Sequence, residues 1–134
     1  MRQESISQRP TWVAIVDDDE SVRRALTRIL RVEGIDATAF GCAHDFLIAT
    51  SARGAPSCLV LDVHLGATSM NGFDLHAILM ERDVAVPVIL MTAHDDVASG
   101  ELARRVGADS FLRKPFERAQ FITLVQRARA AQAS

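Results

Sequence analysis

The chain has 134 residues, of which 49% are hydrophobic and 24% charged, with a formal net charge of −2. This length fits one domain with a single core, and the slightly acidic balance does not indicate a nucleic-acid partner. No apolar run approaches the roughly 18 residues that a membrane span requires. Because no secretory signal precedes them, we expect Cys42 and Cys58 to be reduced thiols of a cytoplasmic protein.

The chain begins with a polar segment, residues 1–11, which we expect to be a disordered arm. Trp12–Val16 is continuously apolar and is predicted to form the first strand. Three acidic residues follow it, Asp17, Asp18 and Asp19. Clustered carboxylates repel one another by roughly 1 kcal/mol per close pair even in water, so the cluster predicts a compensating cation. The alternative is that these residues cap the next helix and lie in solvent.

A helical repeat of apolar residues follows the acidic cluster and predicts the first helix, with Gly34 at its carboxyl end. The apolar positions are Val22, Ala25, Leu26, Ile29 and Leu30, and the opposite face carries Arg23, Arg24, Thr27, Arg28 and Arg31. We interpret this basic face as a solvated helix surface rather than a nucleic-acid patch, because acidic residues are interspersed with it.

The rest of the chain alternates between strand and helix patterns. In order it predicts a strand at 35–40, a helix at 43–52, a strand at Cys58–Asp62, a helix ending near 82–83, a strand at 87–92, a helix at 95–106, a strand at Ser110–Arg113 and a last helix, with no further element at 129–134. The apolar contacts expected for these helices are Phe46 and Leu47 in the second, Phe73, Ala77, Ile78 and Met80 in the third, and Phe121, Leu124, Val125 and Ala128 in the last. Gly100 lowers the stability of the fourth helix by roughly 1 kcal/mol relative to Ala.

Five strands that alternate with five helices predict a parallel sheet covered on both faces. In such folds the ligand site lies beyond the carboxyl ends of the strands. The residues at those ends are Asp17 and Asp18, then Asp62, Thr92 and Lys114. The sequence therefore predicts one crevice that gathers three carboxylates, a hydroxyl and an ammonium group.

The donor set of this crevice favours Mg²⁺, which prefers oxygen ligands. Zinc is a poor candidate, because His64 and His94 have no Cys or His partner at a zinc-ligand spacing. Phosphoryl transfer needs a nucleophilic oxygen, a metal and partners for the phosphoryl oxygens, and Asp62 is the candidate nucleophile. Alternatively, each polar group has only a structural role, as an ion bridge, a strand residue or a loop cap.

Four segments carry a resemblance to a known family: Val16-Asp17-Asp18, Leu59-Val-Leu-Asp62, Leu90-Met-Thr92-Ala93 and Phe111-Leu-Arg-Lys114-Pro115-Phe116. Over residues 12–131 the chain resembles the CheY-like receiver domain of two-component response regulators. The resemblance implies an α/β fold of the flavodoxin-like type, a doubly wound (βα)5 unit with a five-stranded parallel sheet in the order 2-1-3-4-5. It also implies that this chain carries no output domain.

The resemblance further implies which residues act. Asp62 would be phosphorylated by a sensor histidine kinase or a phosphotransfer protein. Mg²⁺ would be bound by Asp17, Asp18, Asp62 and the main-chain carbonyl of His64. The side chain of His64, and that of His94, would tune the lifetime of the phosphoryl group, with plain surface solvation as the alternative.

Other positions match the switch elements of the family. Thr92 would be the switch hydroxyl, and the small Ala93 would leave the site open to a phosphohistidine donor. Lys114 would contact the phosphoryl group and be placed by a cis bond to Pro115. Phe111 would be the aromatic residue that turns inward when Thr92 moves.

The loop after Asp62 departs from the family pattern. Gly66 stands where receivers usually have Pro, and the glycine of the helix entry corresponds to Gly72, so the loop 66–71 is about two residues longer. This puts the conformation of the loop and the helix entry near Asn71 in doubt.

The resemblance implies a signalling protein rather than an enzyme, one that catalyses only its own phosphorylation and dephosphorylation. It implies a downstream protein target on the face made by the fourth predicted helix, the fifth strand and the last helix, and a possible phosphorylation-dependent homodimer, with no direct nucleic-acid or membrane partner. The chain is either a stand-alone regulator or a receiver excised from a longer one.

Two other classes compete with the receiver. A haloacid-dehalogenase-like Mg²⁺-dependent phosphatase would use Asp17 as nucleophile, since Asp17-Asp-Asp-Glu-Ser21 loosely matches its motif, but it does not explain Asp62. A flavodoxin-like flavin binder would need a phosphate loop after the first strand, where three acids would repel the phosphate.

Overall fold

The computed structural model describes residues 12–65, 71–92 and 110–133. Its elements are β1 (Trp12–Val16), α1 (Glu20–Val32), β2 (Asp36–Phe40), α2 (Ala43–Arg53), β3 (Cys58–Asp62), α3 (Gly72–Glu81), β4 (Val88–Thr92), β5 (Ser110–Arg113) and α4 (Arg118–Ala133). The predicted arm at 1–11 and the predicted helix at 95–106 lie outside the described residues. No helix of the described part is long and apolar enough to cross a membrane.

The five strands form one parallel sheet in the order β2-β1-β3-β4-β5, which confirms the predicted topology. Every residue of β1, β3 and β4 is buried. Continuous burial is typical of strands that are covered on both faces, and it explains why these three segments are apolar without alternation.

The sheet separates two hydrophobic cores. Phe46 of α2 and Leu75 of α3 pack on one face, whereas Leu30 of α1 and Phe121 of α4 pack on the other. The chain is therefore doubly wound, as its alternating pattern predicts. The helices therefore pack on the two faces of the sheet, and a ligand site is expected at its carboxyl edge.

Helix α1 has a defined beginning and end. The Asp19 carboxylate accepts hydrogen bonds from the main-chain N–H groups of Ser21, at 2.8 Å, and Val22, at 3.4 Å. Gly34 follows the helix with a positive φ of 77°, and its N–H donates to the Arg31 carbonyl oxygen. The capping alternative for the acidic cluster is thus correct for Asp19, and the prediction of Gly34 at the helix end is confirmed.

The predicted apolar face of α3 is partly wrong. Ala77 and Met80 are exposed, and the residues that enter the core are Leu75 and Leu79. The segment has apolar residues at most positions, so several helical stripes fit its sequence equally well.

Four element boundaries also differ from the prediction. β2 begins at Asp36 and α2 ends at Arg53, each one residue later than expected. β4 begins at Val88 rather than at Pro87, which has no N–H to donate to a strand ladder. α4 continues to Ala133, through residues that were assigned to no element, because alanine-rich sequence has high helix propensity.

Candidate phosphoacceptor site

Four neighbouring strand ends bring the predicted site residues together. Asp17 follows β1, Asp62 ends β3, Thr92 ends β4 and Lys114 follows β5. The Lys114 N–H donates to the Thr92 carbonyl oxygen at 2.8 Å, which continues the β4–β5 pairing one step beyond the strands. The peptide bond between Lys114 and Pro115 is cis, as the resemblance implies.

The Lys114 ammonium group joins the two buried carboxylates. Its Nζ lies 3.1 Å from Asp17 Oδ2 and 3.3 Å from Asp62 Oδ2. Both acids are almost completely buried, with exposed fractions of 0% for Asp17 and 6% for Asp62. Two adjacent buried carboxylates repel each other, so an ammonium group between them offsets a part of that repulsion.

Asp17 is held from three sides. Its main-chain N–H donates to the Phe40 carbonyl oxygen at 3.1 Å, and its Oδ1 accepts from the Asp19 N–H at 2.9 Å. Its carbonyl oxygen accepts from Arg23 Nη1 at 2.8 Å. These contacts fix both the backbone and the carboxylate, while the next residue, Asp18, remains exposed.

The sequence did not predict a role for Arg23, which was placed on a solvated basic face. The side chain is half-buried, and a Cβ atom on Gly41 would lie 3.2 Å from Arg23 Nη1. Gly41 therefore leaves the space through which this guanidinium group reaches the Asp17 carbonyl. A long basic side chain one turn into a helix that follows a site loop is the only feature of the sequence that points to this contact.

Asp62 is held by the main chain of its own loop and by α3. Its Oδ1 accepts from the His64 N–H at 3.0 Å. A Cβ atom on Gly72 would lie 2.6 Å from the Asp62 carbonyl oxygen and 2.9 Å from Val63 Cα. Only glycine allows α3 to begin this close to the end of β3. The contact agrees with the assignment of Gly72 as the glycine of the helix entry.

The helix entry that the sequence left in doubt is a capping box. The Asn71 side chain accepts from the Asp74 N–H at 2.9 Å, and the Asp74 carboxylate accepts from the Asn71 N–H at 3.0 Å. This reciprocal pair satisfies two main-chain donors at the start of α3. The lengthened loop therefore leads into a well-formed helix start, although residues 66–70, with Gly66, lie outside the described part.

The electrostatics of the site differ between its acids and its base. Burial raises the pKa of Asp62 from 3.8 to about 6, and the charge of Asp17 adds to the rise, while Lys114 and the His64 N–H oppose it. Burial lowers the pKa of Lys114, but the two carboxylates outweigh burial and raise it above its usual value. Asp62 is thus easier to protonate than an exposed carboxylate, and the ammonium group of Lys114 stays charged.

The carboxylates of Asp17, Asp18 and Asp62 fit a divalent cation. Each offers one oxygen atom, and these atoms lie within 4.8 Å of one another. Mg²⁺ binds oxygen atoms at about 2.0–2.1 Å, so two ligand oxygens on opposite sides of one ion are about 4 Å apart. The oxygen-only donor set and this spacing agree with the predicted Mg²⁺ site.

The remaining predicted site residues are Thr92, Phe111, Ala93 and the side chains of His64 and His94, and the structure describes the first two and His64. Thr92 is fully buried, and its Oγ1 has no hydrogen-bond partner within the described part of the chain. Phe111 is half-buried in β5, with Arg113 Cζ 5.9 Å from its ring centroid. The His64 side chain is exposed. Ala93 and His94 lie outside the described residues.

Comparison with known proteins shows which family this chain resembles. Residues 13–126 match the family model of the response regulator receiver domain. Nodulation protein W of Bradyrhizobium diazoefficiens is 37% identical over 84% of this chain and 48% of its own length. Response regulator protein TodT of Pseudomonas putida is 32% identical over 92% of this chain and 53% of its own length. The chain therefore spans about half the length of these curated relatives.

Solved structures show the same likeness. A response regulator receiver protein from Burkholderia phymatum is 40% identical, with a TM-score of 0.79 and coverage of 91% of this chain and 96% of that one. The receiver domain of NtrX from Brucella abortus is 27% identical, with a TM-score of 0.82 and coverage of 88% and 98%. These matches give the phosphatase alternative no support. The chain belongs to the receiver-domain family of two-component response regulators.

Proposed function

We propose that this receiver accepts a phosphoryl group on the carboxylate of Asp62. The observation that carries the proposal is the contact of one ammonium group, that of Lys114, with two buried carboxylates at the carboxyl edge of the sheet. A carboxylate oxygen of Asp62 forms the bond to phosphorus while the bond between phosphorus and the donor atom breaks. The donor is a sensor histidine kinase or a phosphotransfer protein.

In this proposal Asp17, Asp18 and Asp62, with the main-chain carbonyl of His64, hold Mg²⁺. When bound, Mg²⁺ neutralises charge on the oxygens of the transferred phosphoryl group. The contacts of Asp17 with Asp19, Phe40 and Arg23 support a preorganised ligand. A carboxylate that is already held by hydrogen bonds loses little further entropy when it binds a cation.

Thr92 and Lys114 each contact one phosphoryl oxygen in this proposal. Phosphorylation adds about two negative charges to the site, and the ammonium group and the hydroxyl group are suitable donors to them. The burial of Thr92 and the lack of a described partner for its Oγ1 support this role. Movement of Thr92 would then be transmitted to Phe111 in β5, while His64 and His94 would affect the lifetime of the phosphoryl group.

We further propose that the signal leaves through the face of β5, α4 and the predicted helix at 95–106, toward a protein target or a second copy of the chain.

In this proposal the protein has no catalytic activity beyond its own phosphorylation and dephosphorylation. We also place the protein in the cytoplasm.

The test is incubation with acetyl phosphate and Mg²⁺, followed by intact mass. We expect the wild-type chain to gain one phosphate, and we expect no gain when EDTA replaces Mg²⁺. Asp62→Asn should abolish the gain, because an amide oxygen is a poor nucleophile. Asp45→Asn, an exposed acid of α2, is the matched control and should leave the gain intact.

Two results would contradict the proposal. A wild-type chain that gains no phosphate would exclude Asp62 as a working acceptor. A gain that survives Asp62→Asn but is lost in Asp17→Asn would favour the phosphatase mechanism with Asp17 as nucleophile.

A further inference from the structure

The outer face of α1 forms a groove with the edge of the sheet. The groove is open, with a volume of about 600 Å³, and it extends along α1 as far as Val32. Its floor includes Ala39 of β2, the edge strand of the sheet. A volume of 300–1,000 Å³ is typical of ligand sites. Apart from Arg23, which contacts the main chain of Asp17, the lining shares no contact shown here with the residues of the predicted site.

The lining of the groove is strongly basic. Its charged members are Glu20, Arg23, Arg24, Arg28 and Arg31. Glu20, the one acidic residue among those lining the groove, forms an exposed ion pair with Arg24 at 3.2 Å. No carboxylate of the described residues lies within ion-pair distance of the other three guanidinium groups. Three guanidinium groups therefore line one groove without an ion-pair partner among the described residues.

The position of Arg23 gives the groove a fixed inner end. One of its nitrogens, Nη1, donates to the Asp17 carbonyl oxygen at 2.8 Å, a neutral partner that leaves the charge uncompensated. Arg28 and Arg31 are exposed at the outer end. Along a helix, the eight positions from Arg23 to Arg31 correspond to about 12 Å. An anion that engages the whole row must therefore be extended.

The edge of β2 adds main-chain groups to the groove. The Phe40 carbonyl oxygen accepts from the Asp17 N–H, so the main-chain groups of Phe40 face β1. Because the main-chain groups of successive strand residues point to opposite sides, those of Ala39 face the outer edge. No described strand pairs with that edge. An extended peptide can satisfy such groups by main-chain hydrogen bonds.

We propose that this groove binds a short acidic peptide segment of a partner protein. Four extended residues span about 12–13 Å, which matches the roughly 12 Å from Arg23 to Arg31. Carboxylates at alternate positions of such a peptide are about 6–7 Å apart, between the helical rises of about 7.5 Å from Arg23 to Arg28 and about 4.5 Å from Arg28 to Arg31. Nucleic acid is the less favoured occupant, because the chain as a whole has a net charge of −2 and Asp17, Asp18 and Asp62 lie at the neighbouring edge of the sheet. The main-chain groups of the β2 edge also match a peptide rather than a phosphate backbone.

The test uses a fluorescein-labelled hexaglutamate peptide and measures binding to the full chain by fluorescence anisotropy in about 50 mM salt, where surface charges are weakly screened. The groove variant is Arg28→Glu with Arg31→Glu, and both residues are exposed. The matched control is Arg118→Glu with Arg127→Glu, which changes the net charge equally on the exposed surface of α4. Circular dichroism establishes that each variant is folded, and Arg28→Gln with Arg31→Gln serves if the charge reversal unfolds the chain.

We expect the groove variant to bind hexaglutamate at least about tenfold more weakly and the α4 variant to bind within about twofold of the wild type. Three outcomes would overturn the proposal. One is no binding by the wild type, and another is an equal loss in both variants, which would indicate only net charge. The third is tighter, arginine-dependent binding of a fluorescein-labelled hexathymidylate, which would assign the groove to nucleic acid.

Discussion

The loops that follow β1 and β3 each hold a buried carboxylate at the same edge of the sheet. In both, a buried aspartate accepts a main-chain N–H from two residues further along, Asp17 from Asp19 and Asp62 from His64. In both, the second carboxylate oxygen contacts Lys114. The two carboxylates thus have nearly matching local partners, although 44 other residues separate them in the chain.

The surroundings of the two loops differ in what holds the backbone. The β1 loop is held by a side chain, that of Arg23, which reaches the Asp17 carbonyl oxygen. The β3 loop is held by a backbone, because Gly72 brings the start of α3 against the Asp62 carbonyl oxygen. A flexible side chain can adjust to a small change, whereas closely packed backbones cannot. Asp62 therefore stands in the more rigid of the two loops.

The largest expected effect comes from adding one methyl group beside each loop, at Gly72 next to the β3 loop and at Gly41 next to Arg23. In Gly72→Ala the new Cβ would lie 2.6 Å from the Asp62 carbonyl oxygen, so α3 must shift. We expect a loss of about 3 kcal/mol in the free energy of unfolding, measured by urea denaturation. In Gly41→Ala the new Cβ would contact only the end of the Arg23 side chain, at 3.2 Å. This variant should lower the free energy of unfolding by about 1 kcal/mol or less. Equal losses in the two variants would contradict the difference in rigidity.

A smaller effect should appear in the pH dependence of stability. The pKa of Asp62 is about 6 in the folded chain, against 3.8 for an unperturbed carboxyl. Between these values the folded chain binds more protons than the unfolded chain, so the free energy of unfolding should fall as pH rises from about 4 to about 6. In EDTA we expect this contribution to reach about 2 kcal/mol and to be missing from urea unfolding of Asp62→Asn.

The matched control for this measurement is Asp45→Asn, whose stability should follow the wild-type curve because Asp45 is exposed. Parallel curves for the wild type and Asp62→Asn would show that Asp62 does not retain its proton in the folded state.

The smallest effect concerns the side chain that holds the β1 loop. Arg23→Met should lower the free energy of unfolding by about 1 kcal/mol, because the Asp17 carbonyl oxygen loses its donor. Arg24→Met removes only an exposed pair with Glu20 and should change it by less than about 0.5 kcal/mol. Thermal unfolding of both variants provides the measurement, and an Arg24 effect as large as that of Arg23 would contradict the assignment.

The sequence predicts the strand ends of this protein better than its helix faces. We expect Asp17, Asp62, Thr92 and Lys114 at one edge because each ends or directly follows a predicted strand, and parallel strands end at the same edge. That expectation needs only the order of the elements, not the conformation of any side chain.

What the sequence could not predict depends on the positions of side chains. Arg23 belongs to a basic helix face, and nothing local to it shows that its guanidinium group turns toward the Asp17 carbonyl. The apolar face of α3 was misplaced, with Met80 exposed and Leu79 buried, because apolar residues surround that helix on most sides. Tertiary packing determines which of these faces is buried, and the local sequence pattern of the helix does not predict it.

The ammonium group of Lys114 has a consequence for the order of folding. It is 97 residues from Asp17 and 52 from Asp62 along the chain. Contacts of such long range form late, since they require closure of a large loop. A nascent chain that ends before β5 would have to bury two carboxylates without their cation, which disfavours the compact state. The cluster of Asp17, Asp62 and Lys114 is therefore completed only when β5 has been synthesised and docked, so a chain that ends before β5 lacks the full set of groups.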